Sequence, residues 1–260
     1  MNWDGYHISF LNLPHRTDRL NHMVNQLSRF GIPAVRHEAK LPTSYDYNNP
    51  KYATMMARTP GALGCHIGQV EIMKEGLESG RHTIVLEDDV IFCNDLHARL
   101  EYITKWQETH EWDVFWLGAT FHSPAFWHKV GKSGMPPDCS AQLGKDFDHT
   151  SDPRIKRTYG AFCTYAYMVN LKSIEKILNL FDEHLHMSIG IDWLFIKLQP
   201  QLKCFAFVPG SVKQMDNKSD IGTGMTIFSG FSRLNGTIEN SRYWYQENIS
   251  DFDPNTFKWK

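Results

Sequence analysis

The sequence predicts an α/β fold, and three observations carry that expectation. Short apolar runs of strand length alternate with segments of helical period along most of the chain. With 260 residues, 42% of them hydrophobic, the chain can bury a full core as one large domain or two small ones. Charged residues at 22% and aromatic residues at 13% mark a globular composition rich in rings, which excludes disorder as the main theme. No repeat or low-complexity linker divides it. Residues 1–260 therefore read as one domain, with a core over about 7–221 and an irregular tail over 222–260 packed on it.

Each element has its own signal. Residues 7–13 are an apolar strand stopped by Pro14. Leu20, Met23, Val24, Leu27 and Phe30 then recur at helical spacing from residue 17 until Gly31-Ile32-Pro33 ends the helix. Residues 34–37 make a second short strand, and the Tyr- and Asn-rich stretch over about 42–58 is a loop long enough to be functional. Residues 62–78 form the next helix, with Leu63, Ile67, Val70, Met73, Lys74 and Leu77 on one face and Gly80 as its stop. The strand 82–86 runs directly into Glu87-Asp88-Asp89. Residues 96–107 read as a helix, 112–117 as a strand ended by Gly118, and 162–170 as a strand ahead of a helix over 171–181. The stretch 122–157, rich in Pro, Gly, Lys and Asp, reads as irregular surface with a hairpin near 126–130, and as the place for a mobile flap. Residues 209–260 read as a tail without regular structure, whose Phe228, Phe231, Trp244 and Tyr245 pack on the body.

The charge balance narrows the partners. Lys plus Arg total 27 against 29 Asp plus Glu, a formal charge of -2, without the positive surplus that phosphate-backbone binding needs. Nucleic acid is not favoured. No run approaches the ~20 apolar residues that span a bilayer, and the start lacks a basic region followed by an apolar one, so the chain reads as soluble and cytoplasmic. Five scattered cysteines, with no CxxC pair, suggest neither a disulfide framework nor a zinc knuckle and fit a reducing compartment. The phosphate-binding GxGxxG and GxxxxGK[ST] loops and the GxSxG elbow are all absent.

The strand that ends in three acids is the most informative segment, because ligands of open α/β sheets bind beyond the carboxyl ends of the strands. In extended backbone Glu87 and Asp89 project to one face and Asp88 to the other. Such a group either holds a hard divalent cation such as Mg²⁺ or Mn²⁺, leaving coordination positions for phosphates, or is a solvated acidic turn. Asp192, among apolar neighbours at the start of a short helix, either caps that helix or is a desolvated general base. His66, near a helix opening, either meets a phosphate there or is an ordinary partly buried histidine. His184 and His186, two apart, do not share a helix face and are rejected as a ligand pair.

Taken in order, Phe10-Leu11-Asn12-Leu13-Pro14-His15-Arg16-Thr17-Asp18-Arg19-Leu20, Gly61-Ala62-Leu63-Gly64-Cys65 and Ile84-Val85-Leu86-Glu87-Asp88-Asp89-Val90 resemble glycosyltransferase family 25. Trp112-Asp113 with Leu117-Gly118, Tyr167, Ile191-Asp192, and Gln214 with Ser219-Asp220-Ile221 extend the resemblance over about residues 7–221. The family includes bacterial lipopolysaccharide galactosyltransferases and collagen hydroxylysine galactosyltransferases. Where it has Ser-His after the Gly-Cys pair, this chain has Gly68-Gln69, a departure that His66 could offset.

The resemblance implies a GT-A-type αβα sandwich with a mainly parallel sheet, and inverting transfer of a sugar, galactose or a related hexose, from a UDP-sugar to a hydroxyl of a glycan, protein or other acceptor. It implies Asp89 as ligand of Mn²⁺ or Mg²⁺, with Glu87 as a further metal contact and Asp220 as either another metal contact or a second candidate base. Glu87, Asp88, Asn12, Leu13, Arg16, Gly64 and His66 would be donor neighbours, and Asp192 the base. Trp116, Tyr165 and Trp193 would stack on acceptor sugars or else belong to the core. The rival readings are a metal-dependent phosphohydrolase, a nucleotide-sugar or carbohydrate-binding protein without turnover, and sugar transfer to modified nucleic acid.

Overall fold

The computed structural model describes residues 3–40, 52, 60–121, 147–185, 190–215, 220, 247–248 and 250. In chain order its elements are β1 (Tyr6–Asn12), α1 (Thr17–Phe30), β2 (Val35–Glu38), α2 (Pro60–Glu78), β3 (His82–Glu87), β4 (Val90–Phe92), α3 (Leu96–Gln107), β5 (Val114–Phe121), β6 (Phe147–His149), β7 (Ile155–Thr158), β8 (Ala161–Val169), α4 (Leu171–His184), α5 (Ile191–Leu198), β9 (Cys204–Phe207) and β10 (Val212–Gln214). Eight strands form one sheet in the order β2-β1-β3-β8-β5-β9-β7-β6, and β10 pairs with β4 in a separate ribbon. Within the sheet only β7 and β8 oppose the common direction, so it is mainly parallel.

Strand alternation divides the core in two. Ile8 and Phe10 of β1, Ile84 and Leu86 of β3, and Phe115 and Leu117 of β5 meet Met23 and Leu27 of α1 and Leu100 and Ile103 of α3. The intervening Leu11, Val85, Val114 and Trp116 meet Ile72 of α2, Ile177 and Phe181 of α4 and Phe195 of α5. Helices cover both faces, which completes the α/β/α sandwich. Helix α1 ends where its periodicity does: Gly31 adopts φ 57° and its N–H closes on the carbonyls of Leu27 and Ser28, a left-handed cap that a side chain would strain.

Three expectations need correction. The buried face of α2 is Leu63, Ile67, Gly68, Gln69, Ile72, Met73 and Gly76, whereas Lys74 and Leu77 are exposed. Glycine sets this rotation: a Cβ on Gly68 would lie 2.4 Å from Leu11 Cδ1, and one on Gly76 would lie 1.8 Å from Thr83 Oγ1. The helix approaches the sheet through its smallest residues, which a hydrophobicity pattern underweights. Within 122–157, read as irregular, β6 and β7 pair antiparallel and β7 joins β9; Ile155-Lys156-Arg157-Thr158 carries too little apolar signal to announce a strand. The tail likewise begins with β10, whose register sets Gln214 opposite Val90. The expected hairpin near 126–130, the flap around it, the loop over 42–58 apart from Tyr52, and the aromatic tail contacts lie outside the described residues.

Gly118 needs a fourth correction: rather than ending its strand it lies within β5, which continues to Phe121, and it has a comparable close approach. A Cβ there would lie 2.4 Å from the Val212 carbonyl oxygen and 2.5 Å from Tyr165 Cε2, and the neighbouring Leu117 carbonyl accepts from Ser211 N at 2.8 Å. Gly118→Ala is expected to destabilise the fold by about 1–3 kcal/mol through overpacking, read as a lower urea midpoint with an unchanged m value.

Candidate active site

The register of β1 on β3, which pairs Leu11 with Glu87, brings the two strand ends together at the carboxyl edge. Asn12 Nδ2 donates to Asp88 Oδ2 at 2.7 Å and to the Arg16 carbonyl at 3.2 Å, while Arg36 Nε donates to Asn12 Oδ1 at 3.0 Å. Helix α1 starts directly above and supplies Arg19. Its Nη1 donates to Asp88 Oδ1 at 2.6 Å and its Nη2 lies 3.3 Å from Asp89 Oδ2, an ion pair whose members are all less than a tenth exposed.

Glu87 projects elsewhere, which corrects the expected alternation: β3 ends at Glu87, and in the turn after it Asp88 and Asp89 share Arg19. Gln69 Nε2 lies 3.3 Å from Glu87 Oε1, Gln214 Nε2 lies 3.4 Å from Oε2, and the Cys65 thiol is 3.8 Å from Oε1. The β4–β10 ribbon delivers Gln214, and the Met215 N–H donates to the Asp89 carbonyl at 2.7 Å. Because β8 runs against β3, its first residues reach the same edge. Thr164 there donates to Asp192 Oδ1 twice, from its hydroxyl at 2.6 Å and from its backbone N–H at 3.0 Å.

Three adjacent carboxyl groups thus share one buried guanidinium, with Asp192 close enough to act on Glu87, and their acidities show the imbalance. Burial, then the charges of Asp89, Asp192 and Asp88, push Glu87 well above the usual carboxylate range. Burial raises Asp89 to about 6 against the pull of Arg19. Burial also raises Asp192, opposed by the two Thr164 donors. Burial and the Glu87 charge push the Cys65 thiol up as well. An acidic cluster of this kind is relieved by protons or by a cation.

The residues suit a cation. Asp89 Oδ1 is buried and has no hydrogen-bond partner among the described residues, while Arg19 lies beside Oδ2. Among the described residues no three acids, histidines or cysteines form a closed metal cluster. A lone carboxylate with one neighbour matches an ion completed by substrate phosphates rather than an all-protein cage.

Several expected residues take other places. Asp192 does not cap α5: Gly190 is the N-cap, without a side-chain cap bond, and the Asp192 carboxylate crosses to Thr164. Asp220 forms an ion pair with Arg16, which Asp18 also engages at 2.8 Å, so Arg16 ties the late motif to the first strand's loop. Helix α2 begins at Pro60, so Gly64 and His66 lie beyond its first turn, where amides serve the helix. His66 is 2% exposed with its ring 5.7 Å from Phe181, the structural position of a core histidine.

Trp116 and Tyr165, each 1% exposed, belong to the two cores, Trp116 edge-on to Phe195 at 5.2 Å; neither ring offers a face to an acceptor. Trp193 is half-buried, 4.9 Å from Phe162, and Leu13 packs partly on the second core. Asp113 is structural, accepting from Ser173 Oγ at 2.5 Å and Lys203 N at 2.7 Å.

Three residues of the site escaped the sequence reading. Arg19 stood inside a quoted motif but drew no role, because only the folded chain shows it under two acids. Thr164 and Gln69 carry no pattern of their own; the Gly68-Gln69 departure was the one signal available.

The fold and this site define an α/β protein that gathers its chemistry at the carboxyl edge of the sheet. The family model for glycosyltransferase family 25 (LPS biosynthesis protein) matches residues 6–192, and the chain belongs to that family. No curated protein matches it by sequence. Among solved structures it is similar to a galactosyltransferase, LgtC, in complex with donor and acceptor sugar analogues, at 10% identity over 89% of this chain and 96% of that one, TM-score 0.43. It is also similar to a mannose-1-phosphate geranyltransferase from Thermus thermophilus, at 9% identity over 78% and 73%, TM-score 0.39. At these values the likeness assigns neither donor nor acceptor. No helix among the described residues is long and apolar enough to cross a membrane.

The Asp89 shift has a defined sign. Its folded value of about 6 stands above the ordinary 3.8, so folding takes up a proton between them. The stability it contributes is full below about pH 4 and is lost as pH rises through about 6. In chelator, the stability of wild type relative to Asp89→Asn is expected to fall over that window, read as the difference between their melting temperatures at each pH.

Proposed function

We propose that this protein transfers a hexose, galactose first, from a UDP-sugar to a hydroxyl of a glycan, a protein or another acceptor, with inversion at the anomeric carbon. The observation that carries this reading is the separation of the acids into two groups. Asp88 and Asp89, with Arg19 and Asn12, form the donor side; Asp192, fastened by Thr164, stands apart with its pKa raised by burial. Family membership supports the transferase class.

Asp89, with Glu87 beside it, would hold Mn²⁺ or Mg²⁺. Bound there, the ion neutralises charge on the departing nucleoside diphosphate. Asn12 and Arg19 hold Asp88 and Asp89 in place, and Arg16 and Leu13 border the donor from the first strand's loop. Asp192 takes the proton of the acceptor hydroxyl as that oxygen bonds to the anomeric carbon and the carbon–diphosphate bond breaks on the opposite face. A raised carboxylate is a better base than an ordinary one, since its proton affinity is closer to that of the group it serves. Trp193, adjoining the base, is the aromatic placed to meet the acceptor.

The test is a calorimetric and thermal-shift panel of UDP-, GDP-, CMP- and ADP-sugars, with and without Mn²⁺. A Mn²⁺-dependent rise in melting temperature with UDP-sugars is expected. No shift with any nucleotide sugar would overturn the reading, and phosphate release from simple esters would replace it with a phosphohydrolase. Asp89→Asn is expected to abolish the metal dependence of donor binding. Asp192→Asn is expected to keep donor affinity and lower turnover by ~10² to 10⁴, read from kcat against Kd for the donor.

A further inference from the structure

Gln69 occupies the middle of a chain of hydrogen bonds whose direction the chemistry settles. Tyr167 Oη lies 2.8 Å from Gln69 Oε1. On the other side of the amide, Nε2 is 3.3 Å from Glu87 Oε1, 3.2 Å from Thr164 Oγ1 and 3.4 Å from the Thr164 carbonyl. An NH₂ group fits that ring of acceptors, so Oε1 faces the tyrosine and the phenol donates. Thr164 Oγ1, receiving from Gln69, must send its own proton onward, and Asp192 Oδ1 at 2.6 Å is the acceptor. The Thr164 N–H adds a second donor to the same oxygen. Asp192 Oδ2 has no hydrogen-bond partner among the described residues. Gln69 is fully buried and Thr164 is 2% exposed, while Glu87 and Asp192 are partly buried.

We propose that Gln69 is a positioning residue: by orienting the Thr164 hydroxyl onto Asp192 Oδ1, it leaves Oδ2 as the oxygen that takes the acceptor's proton. The proton-accepting half of this rests on the function proposed above; the orientation half does not. A carboxylate free to rotate would present either oxygen, whereas this one is held by two donors from a single residue on β8. The amide is suited to the task because it has no proton to lose. It keeps one donor–acceptor direction beside Glu87, Cys65 and Tyr167, the titratable groups that face Asp192 from β3, α2 and β8.

The test reads Asp192 directly, by carboxyl ¹³C NMR titration of aspartate-labelled protein in chelator, with the signal assigned through Asp192→Asn. Thr164→Val removes the hydroxyl donor and is expected to raise the titration midpoint by about one pH unit; Thr164→Ser is expected to restore it. Gln69→Met, similar in length but without an amide, is expected to shift the midpoint in the same direction. The double variant is expected to shift it no further than Thr164→Val alone, because both act through one bond.

Tyr167→Phe removes only the hydroxyl that sets the amide. It is expected to give a smaller shift of the same sign, and it supplies the reading should Gln69→Met not fold. A wild-type midpoint in Gln69→Met and Tyr167→Phe, or additive shifts in the double variant, would overturn the positioning role. Turnover of UDP-galactose separates the two halves. A drop in kcat on the order of 10-fold in Thr164→Val and Gln69→Met, at unchanged donor KM and with rescue by Thr164→Ser, supports both. Network-dependent titration in a protein that turns over no nucleotide sugar would keep the orientation and overturn the assignment of Oδ2 as a base.

Discussion

Arg19 sits beneath the carboxyl edge of the sheet with one nitrogen on Asp88 and another near Asp89, and the rest of the site is arranged around that buried pairing. Removing one partner of such a pair costs about 3–5 kcal/mol, because the other is left charged and dry. Here the stoichiometry is uneven. One guanidinium answers for two acids directly and for Glu87 at a distance, so the cluster keeps a negative excess. Burial, with that excess, raises Glu87 and Asp89.

The second constraint is close approach. Gly68 lets α2 settle on Leu11, and Gly118 lets the chain at Val212 pass beside β5. These contacts bring residues from distant parts of the chain, Gln69 and Gln214, to opposite oxygens of Glu87. A methyl group at either glycine would act on the site by displacing a backbone or a core side chain, with no change to any chemical group in it. The Trp112-Asp113 and Leu117-Gly118 motif is explained in the same way. Its aspartate staples β5 to α4 and to the chain ahead of β9, and its glycine admits the segment leading into β10.

Much of the architecture was legible in one dimension. Helix α1 ends at the glycine stop that its sequence announces, and α3 spans the residues its apolar periodicity marks, since both bury one stripe against one face of the sheet. The alternation of apolar strands with helices anticipated a sheet covered on both sides. The two-residue repeat of a strand put Glu87 and Asp89 on one face opposite Asp88, but β3 ends at Glu87, and in the turn that follows Asp88 and Asp89 share Arg19 while Glu87 meets Gln69 and Gln214. The departures fall where local pattern is a poor guide. Strand β7 owes its existence to pairing with β9 rather than to its own composition, and α2 faces the sheet through glycines and a glutamine. Trp116 and Tyr165 look like stacking platforms in sequence and are core residues in space.

By itself the sequence determined the layered α/β form, the strand edge where acids collect, and membership of a motif set that spans most of the chain. Those properties are local: periodicity, the geometry of extended backbone, and the chemistry of adjacent residues. Tertiary structure alone decided that Asp88 and Asp89 share Arg19, that Gln69 links Glu87 to Thr164, and that Asp192 is fastened by one oxygen. Each of these joins residues brought together only by strand register and helix packing. A hydrogen bond depends on tenths of an ångström between side chains that sequence spacing leaves unrelated.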